Sequence, residues 1–163
     1  MCSSDLNVSV IRQAIIDALE GQSLAGMTHL TQITLRESCD PLSLVSPSAA
    51  AGCVDGGFIV VPGTGRTVSA TTPYAAAGTV QRVWEVPFSV RWSLDLNGIQ
   101  PEKLGVDLYR IPAAVRRLID AALEPSVGTN YNVTSITEST PARQSGGSIL
   151  IFEVVYVIKF PFA

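Results

Sequence analysis

The sequence predicts a single α+β domain, in which a mostly antiparallel sheet carries two helices on one face and a long hairpin or loop insertion at about 40–79. Two amphipathic helical stretches alternate with runs of period-two hydrophobicity, which are typical of strands with one buried face. The chain has 163 residues, the length of one domain. Helices and runs of antiparallel strands that are segregated in this way favour an α+β sandwich over 1–163.

The composition is apolar and poor in charge. Hydrophobic residues make up 47% of the chain and charged residues only 15%, whereas about a quarter is usual for charged residues. This composition excludes a disordered chain, and the net charge of −3 argues against a nucleic-acid-binding surface. No apolar run is long enough to cross a membrane. Because a monomer ordinarily carries more surface charge, the composition indicates apolar surface that neighbouring subunits cover.

The first predicted element is an amphipathic helix over 8–20. Val8, Ile11, Ile15 and Leu19 recur three and four residues apart and form one apolar stripe. Residues 28–36 are rich in β-branched side chains and alternate weakly, which predicts a strand.

Residues 40–79 form the segment with the fewest charges. Two short apolar runs, 57–61 and 66–70, flank the sequence PGTG at 62–65 and predict a hairpin with its turn there. We interpret the flanks, 40–56 and 71–79, as loop. A structured loop of this length is usually functional.

The longest alternation in the chain covers 80–95. Its apolar side chains fall mainly on even positions, which predicts a long strand with one face in the core. Pro87 cannot donate to a ladder of hydrogen bonds, so we expect an edge position or a bulge there.

A second helix is predicted from Pro101 to about residue 124, and Pro112 is expected to kink it or divide it in two. Pro125 and Gly128 mark its end. Residues 130–138 and 148–160 predict two closing strands. The last strand is apolar on nearly both faces, which is typical of a strand that is central in a sheet or covered by a partner.

No motif for catalysis, cofactor binding or metal binding emerges, so we expect no enzyme and no cofactor. The cysteines at 2, 39 and 53 are odd in number and form no CxxC pair, unlike a disulfide framework or a zinc site. The glycines of 62–66 lack the lysine and the following helix of a phosphate-binding loop. Pairing of His29 with Cys39 or Cys53 is the arrangement that would revive an enzymatic interpretation.

Three stretches resemble the phage tail terminator family, the minor tail protein U type of long-tailed phages. The segment IRQAIIDALE at 11–20 is similar to that family's first helix. The strand at 80–95 with the helix at 101–124 resembles its long strand and second helix, and 148–160 resembles its closing strand. The resemblance implies a ring of six subunits that ends the tail tube.

The family's function defines the expected partners and place. Such a ring lies at the head-proximal end of the virion tail, stops polymerisation of the tail tube protein and joins the neck or connector proteins, without catalysis. The N-terminal sequence MCSSDLNVSV lacks the basic and apolar regions of a signal peptide, so we expect synthesis in the host cytoplasm. A neck protein that binds the connector and a small ligand-binding module, with a pocket of Trp84, Trp92 and Tyr74, stay open as alternatives.

Under the terminator interpretation, the hairpin, the arginines and the C-terminal phenylalanines are predicted to contact neighbours, and deletion of 58–68 should abolish assembly without unfolding the subunit. For the helix arginines, a solvated face is the alternative to an acidic neighbour. The predicted contact residues are Phe58, Val60, Arg66, Val68, Arg82, Arg91, Arg116, Arg117, Phe160 and Phe162.

Overall fold

Two helices and nine strands occur in the residues that the computed structural model describes, which are 3–24, 33–37, 56–70, 81–96, 106–124, 131–140, 142–143 and 149–161. The helices are α1 (Ser3–Leu19) and α2 (Asp107–Ala122). The strands are β1 (Ser23–Leu24), β2 (Ile33–Thr34), β3 (Arg36–Glu37), β4 (Gly57–Pro62), β5 (Arg66–Ala70), β6 (Gln81–Asp95), β7 (Asn132–Glu138), β8 (Ala142–Arg143) and β9 (Ile149–Pro161).

Two long antiparallel strands form the centre of the main sheet. β6 and β9 pair in one unbroken register, from Val83 opposite Pro161 to Asp95 opposite Ile149. β4 and β5 both pair with β6, β7 and β8 both pair with β9, and β3 pairs in parallel with β4. β1 and β2 form a separate antiparallel pair. The predicted mostly antiparallel α+β fold is confirmed.

The core lies between one face of this sheet and the two helices. β6 and β9 contribute their even-numbered side chains, which stand opposite one another in the register. α1 contributes the predicted stripe of Ile11, Ile15 and Leu19, and α2 contributes residues four apart in the same way. The buried side chains of α2 are Ile111, Val115 and Ile119. Both helices therefore cover the same face of the sheet.

The predicted hairpin at 57–70 is wrong. β4 and β5 do not pair with each other but follow one another along β6, opposite 88–92 and 81–85 respectively. Pro62 stands opposite Phe88 and Arg66 opposite Glu85, so three residues face two and form a bulge. The bulge lies against Pro87, which has no N–H to donate and whose carbonyl accepts from the Gly63 N–H at 2.7 Å. The bulge that was expected at Pro87 itself therefore lies in the paired segment, at residues 63–65.

Gly63 and Gly65 allow this bulge to approach β6 closely. A Cβ atom at Gly63 would lie 2.7 Å from Pro87 Cγ, and one at Gly65 would lie 2.7 Å from Val86 Cγ2. We expect Gly65→Ala to lower the free energy of unfolding by about 1–3 kcal/mol, because the added methyl group overpacks this contact. Urea unfolding measures the loss. Thr64→Ala, at an exposed position between the two glycines, should change stability by less than about 0.5 kcal/mol. Equal effects would contradict this explanation.

α2 is one helix in which Pro112 lies inside the second turn. The expected division of the helix is not seen, because the proline removes only one N–H and the buried stripe beyond it keeps the helix on the sheet. The predicted helix start at Pro101 and the stop signals at Pro125 and Gly128 lie outside the described residues. No helix in the described ranges is both long enough and apolar enough to span a lipid bilayer.

In the described part of the strand predicted at 28–36, two short strands take the place of one continuous strand. Ile33–Thr34 and Arg36–Glu37 are separate short strands, with the fully buried Leu35 between them. Residues 28–32 lie outside the described part, as do 40–55 and 71–79. The closing strands predicted at 130–138 and 148–160 are confirmed as β7 and β9.

Candidate functional site

The sheet face opposite the helices carries the odd-numbered side chains of β6 and β9. Neither described helix covers this face, since both contribute to the core on the other side. We call this surface the outer face and define it by the following side chains: Ile59, Val61, Val83, Glu85, Pro87, Ser89, Arg91, Glu153, Val155, Val157 and Lys159.

The centre of the outer face is apolar. Pro87 stands opposite Val157, and Val155 follows two residues earlier on β9. Val61 and Ile59 on β4 extend the patch across β6. All five side chains are half-buried. β9 thus has apolar side chains on both faces, a pattern typical of strands that are covered on both sides.

Ion pairs within the chain flank this apolar centre. At one end the Glu85 carboxylate accepts from Arg66 at 2.7 Å and lies 3.5 Å from the Lys159 ammonium. At the other end Glu153 Oε2 accepts from Arg91 Nε at 2.6 Å. Because each carboxylate already has a cationic partner in the same chain, the outer face presents little uncompensated charge, as the centre of a protein interface does.

The ion pair of Glu153 with Arg91 on this face makes the stability of the fold depend on pH in the acid range. Arg91 holds the pKa of the Glu153 carboxyl below its usual value, and Ser89, whose hydroxyl donates at 2.8 Å, lowers the pKa further. A carboxyl with a depressed pKa in the folded state stabilises the fold above its unfolded pKa of about 4.3, and this stability is lost as the pH falls through the folded value.

We therefore expect Glu153→Gln to flatten the loss of stability below about pH 5. Urea unfolding at a series of pH values measures the slope for each variant. Glu124→Gln, at an exposed position just after α2, should keep the wild-type slope. An unchanged slope in Glu153→Gln would show that the Arg91 pair does not stabilise the fold.

Three of the predicted contact residues are core residues instead. Phe58, Val60 and Phe160 are 0%, 1% and 2% exposed, respectively. They fall on the helix-covered face, opposite or beside the even-numbered residues of β6. A side chain that is buried within its own chain offers no surface to a neighbour, so these predictions are corrected.

Of the predicted arginines whose side chains are described, Arg66, Arg91 and Arg116 form ion pairs within the chain. Arg91 pairs with Glu153 and Arg66 with Glu85, whereas Arg91 was expected to bridge to a neighbour. Arg117 is exposed on α2, and Val68 is half-buried on β5. The side chain of Arg82 and the whole of Phe162 lie outside the described part of the chain.

A groove along α2 is the feature that sequence reasoning missed. Its larger cavity, of about 670 Å³, lies between α2 and the C-terminal end of β7. Trp92 and Phe152 line this cavity and stack on each other at 4.0 Å with nearly parallel rings. A smaller cavity of about 390 Å³ lies between the C-terminal half of α2 and β7, and is lined by Val133 and Ile136. We call the two cavities together the α2 groove.

A polar bridge separates the two cavities. The buried Tyr156 hydroxyl donates to Asp120 Oδ1 at 2.9 Å, and Asp120 lines both cavities. Arg116 lies 3.6 Å from Asp120 and donates to Glu138 of β7 at 3.2 Å. Burial and the Asp120 carboxylate raise the pKa of Tyr156, so its hydroxyl keeps its proton and holds α2 to β9 at this point.

Of the three aromatic residues predicted to line a ligand pocket, one lines a cavity in the described part of the structure. Trp92 lines the larger cavity, Trp84 packs against the core, and Tyr74 lies outside the described residues. His29, Cys39 and Cys53 also lie outside them. Within the described ranges, no group of three or more His, Cys, Asp or Glu side chains is arranged to hold a metal ion.

Comparison with known protein families and with curated protein sequences finds no match to this chain.

Proposed function

We propose that this chain is a structural subunit of a phage virion, a tail terminator whose ring ends the tail tube and joins it to the neck. The proposal rests on one observation, which is that the outer face of the two longest strands, β6 and β9, is apolar. The order of the elements supports the choice of family.

The outer face supports burial against a second copy. Pro87, Val155 and Val157 form a continuous apolar patch at the centre of a five-strand-wide sheet, where no described helix covers them. The flanking carboxylates are already paired within the chain. Burial of this patch therefore removes apolar surface from water without leaving an unpaired charge, and this combination favours association.

The arrangement of the elements supports the terminator resemblance. α1 contains all but the last residue of the segment IRQAIIDALE at 11–20, the long β6 precedes α2, and β9 lies at the centre of the sheet. These are the three stretches on which the resemblance rests. Contact between two different surfaces of neighbouring copies generates a ring when the rotation between them closes.

Native mass spectrometry with negative-stain electron microscopy tests the proposal. Six copies of the 17.3 kDa chain give a mass of about 104 kDa, and closure gives an annulus with a central hole. We expect this particle in solution or at one end of added tail tubes. A chain that stays monomeric and fails to bind tubes would overturn the proposal. Recruitment to isolated connectors but not to tubes would replace it with a neck protein.

A further inference from the structure

β7 is an edge strand that lies directly beside the α2 groove. In the main sheet β9 pairs with one side of β7, and no described strand pairs with the other. The unpaired N–H and C=O groups of an edge strand are a template for another extended chain. The backbone of β7 therefore defines the kind of occupant that fits here, which is an extended polypeptide segment.

The α2 groove supplies pockets for the side chains of such a segment. Val133 and Ile136 of β7 line the smaller cavity together with Tyr156 and with Leu123, which directly follows α2. Side chains of an added strand alternate, so every second one would enter the space between β7 and α2. Main-chain hydrogen bonds with pockets for alternate side chains are the two components of peptide recognition by strand addition.

We propose that β7 and the α2 groove bind residues 38–55 of a neighbouring copy as an added strand. The inference rests on the proposed function in taking the partner to be a second copy of this chain. Residues 38–55 connect β3 to β4, and these two strands lie at the opposite side of the main sheet from β7. When the contact is repeated around a ring, it therefore joins one edge of each subunit to the opposite edge of the next subunit.

The sequence of 38–55 fits this site. Leu42 and Leu44 are two residues apart, so both fall on one side of an extended chain. Pro41 and Pro47 favour an extended backbone at the residue that precedes each of them. Asp40 precedes the leucines and is complementary to Arg117, which lines the larger cavity and makes no ion pair with any described residue.

A labelled peptide of residues 40–47, DPLSLVSP, tests the inference by fluorescence anisotropy. The receptor is the full chain carrying Leu42→Ser and Leu44→Ser, so that its own segment does not compete. We expect saturable binding, and a loss of about tenfold or more when the receptor also carries Ala121→Trp, which fills the smaller cavity. Ser9→Trp, at an exposed position on α1, is the matched control and should bind like the parent receptor.

The outcomes separate this inference from the proposed function. No binding, or equal binding by the Ala121→Trp receptor, overturns the strand-addition site even where native mass spectrometry shows a ring. Binding that depends on Ala121 and on both leucines of the peptide supports the site. If such binding occurs in a chain whose wild type neither forms rings nor binds tail tubes, the groove is retained as a site for this segment, but the neighbouring copy as its source and the terminator proposal are both overturned.

Discussion

Val157→Lys is expected to leave the subunit folded and to abolish ring formation. Val157 lies at the centre of the outer face, opposite Pro87, and is half-buried in the single chain. In the free subunit a lysine at this position extends its ammonium group into water. In a subunit contact the ammonium would be buried without a partner, at a cost of about 3 kcal/mol or more, which weakens association by over about a hundredfold.

Val10→Lys provides the matched control for this result. Val10 lies on α1, is 63% exposed, and belongs to the helix layer rather than the outer face. Native mass spectrometry of both variants measures the ring, and circular dichroism reports the fold. We expect Val10→Lys to assemble like the wild type. Normal assembly of Val157→Lys, or an equal loss in both variants, would show that the outer face is not the contact.

Phe58→Ala is expected to lower the free energy of unfolding by about 3–5 kcal/mol, because it leaves a cavity in the core. The Phe58 side chain is fully buried, and the residue stands opposite Trp92 in the β4–β6 register. A loss of this size is a large fraction of the stability of an ordinary domain. Phe58→Leu removes less volume and keeps the unfolding transition measurable if the alanine variant does not fold.

Urea unfolding of the subunit measures both variants, with Ile59→Ala as the neighbouring control. Ile59 is half-buried and faces the opposite side of the sheet, so its truncation should cost about 1 kcal/mol. Stability of Phe58→Ala within about 0.5 kcal/mol of the wild type would contradict the placement of Phe58 in the core. The same placement means that deletion of 58–68 removes core side chains, so the expectation of a folded deletion variant is withdrawn.

Periodicity along the sequence correctly predicted the main elements and their buried faces. The stripe of Ile11, Ile15 and Leu19 is the buried side of α1, and the even positions of β6 are the buried side of that strand. Such patterns are readable because burial of one face repeats every 3.6 residues in a helix and every two in a strand. For the same reason Arg91 was expected to point away from the core, as it does.

The short apolar run at 57–61 could not be assigned in this way. Phe58, Ile59, Val60 and Val61 are all apolar, so no alternation distinguishes the core side from the outer side. Phe58 and Val60 were predicted as contact residues because they belong to the expected hairpin, although of this run Ile59 and Val61 are the ones on the outer face. The pairing with β6 supplies the missing information, because Phe58 stands opposite Trp92 and shares its side of the sheet.

Local sequence also left the partner of each strand undetermined. The PGTG segment at 62–65 fits a hairpin turn as well as a bulge, and the choice depends on Pro87 and Val86, more than twenty residues further along the chain. The α2 groove likewise arises from how α2 lies over β7 and β9, and the open edge of β7 arises from the strand order of the main sheet. Side-chain periodicity is a property of neighbouring residues and can be read directly. Strand partners and grooves are contacts between distant residues, and only the folded arrangement decides them.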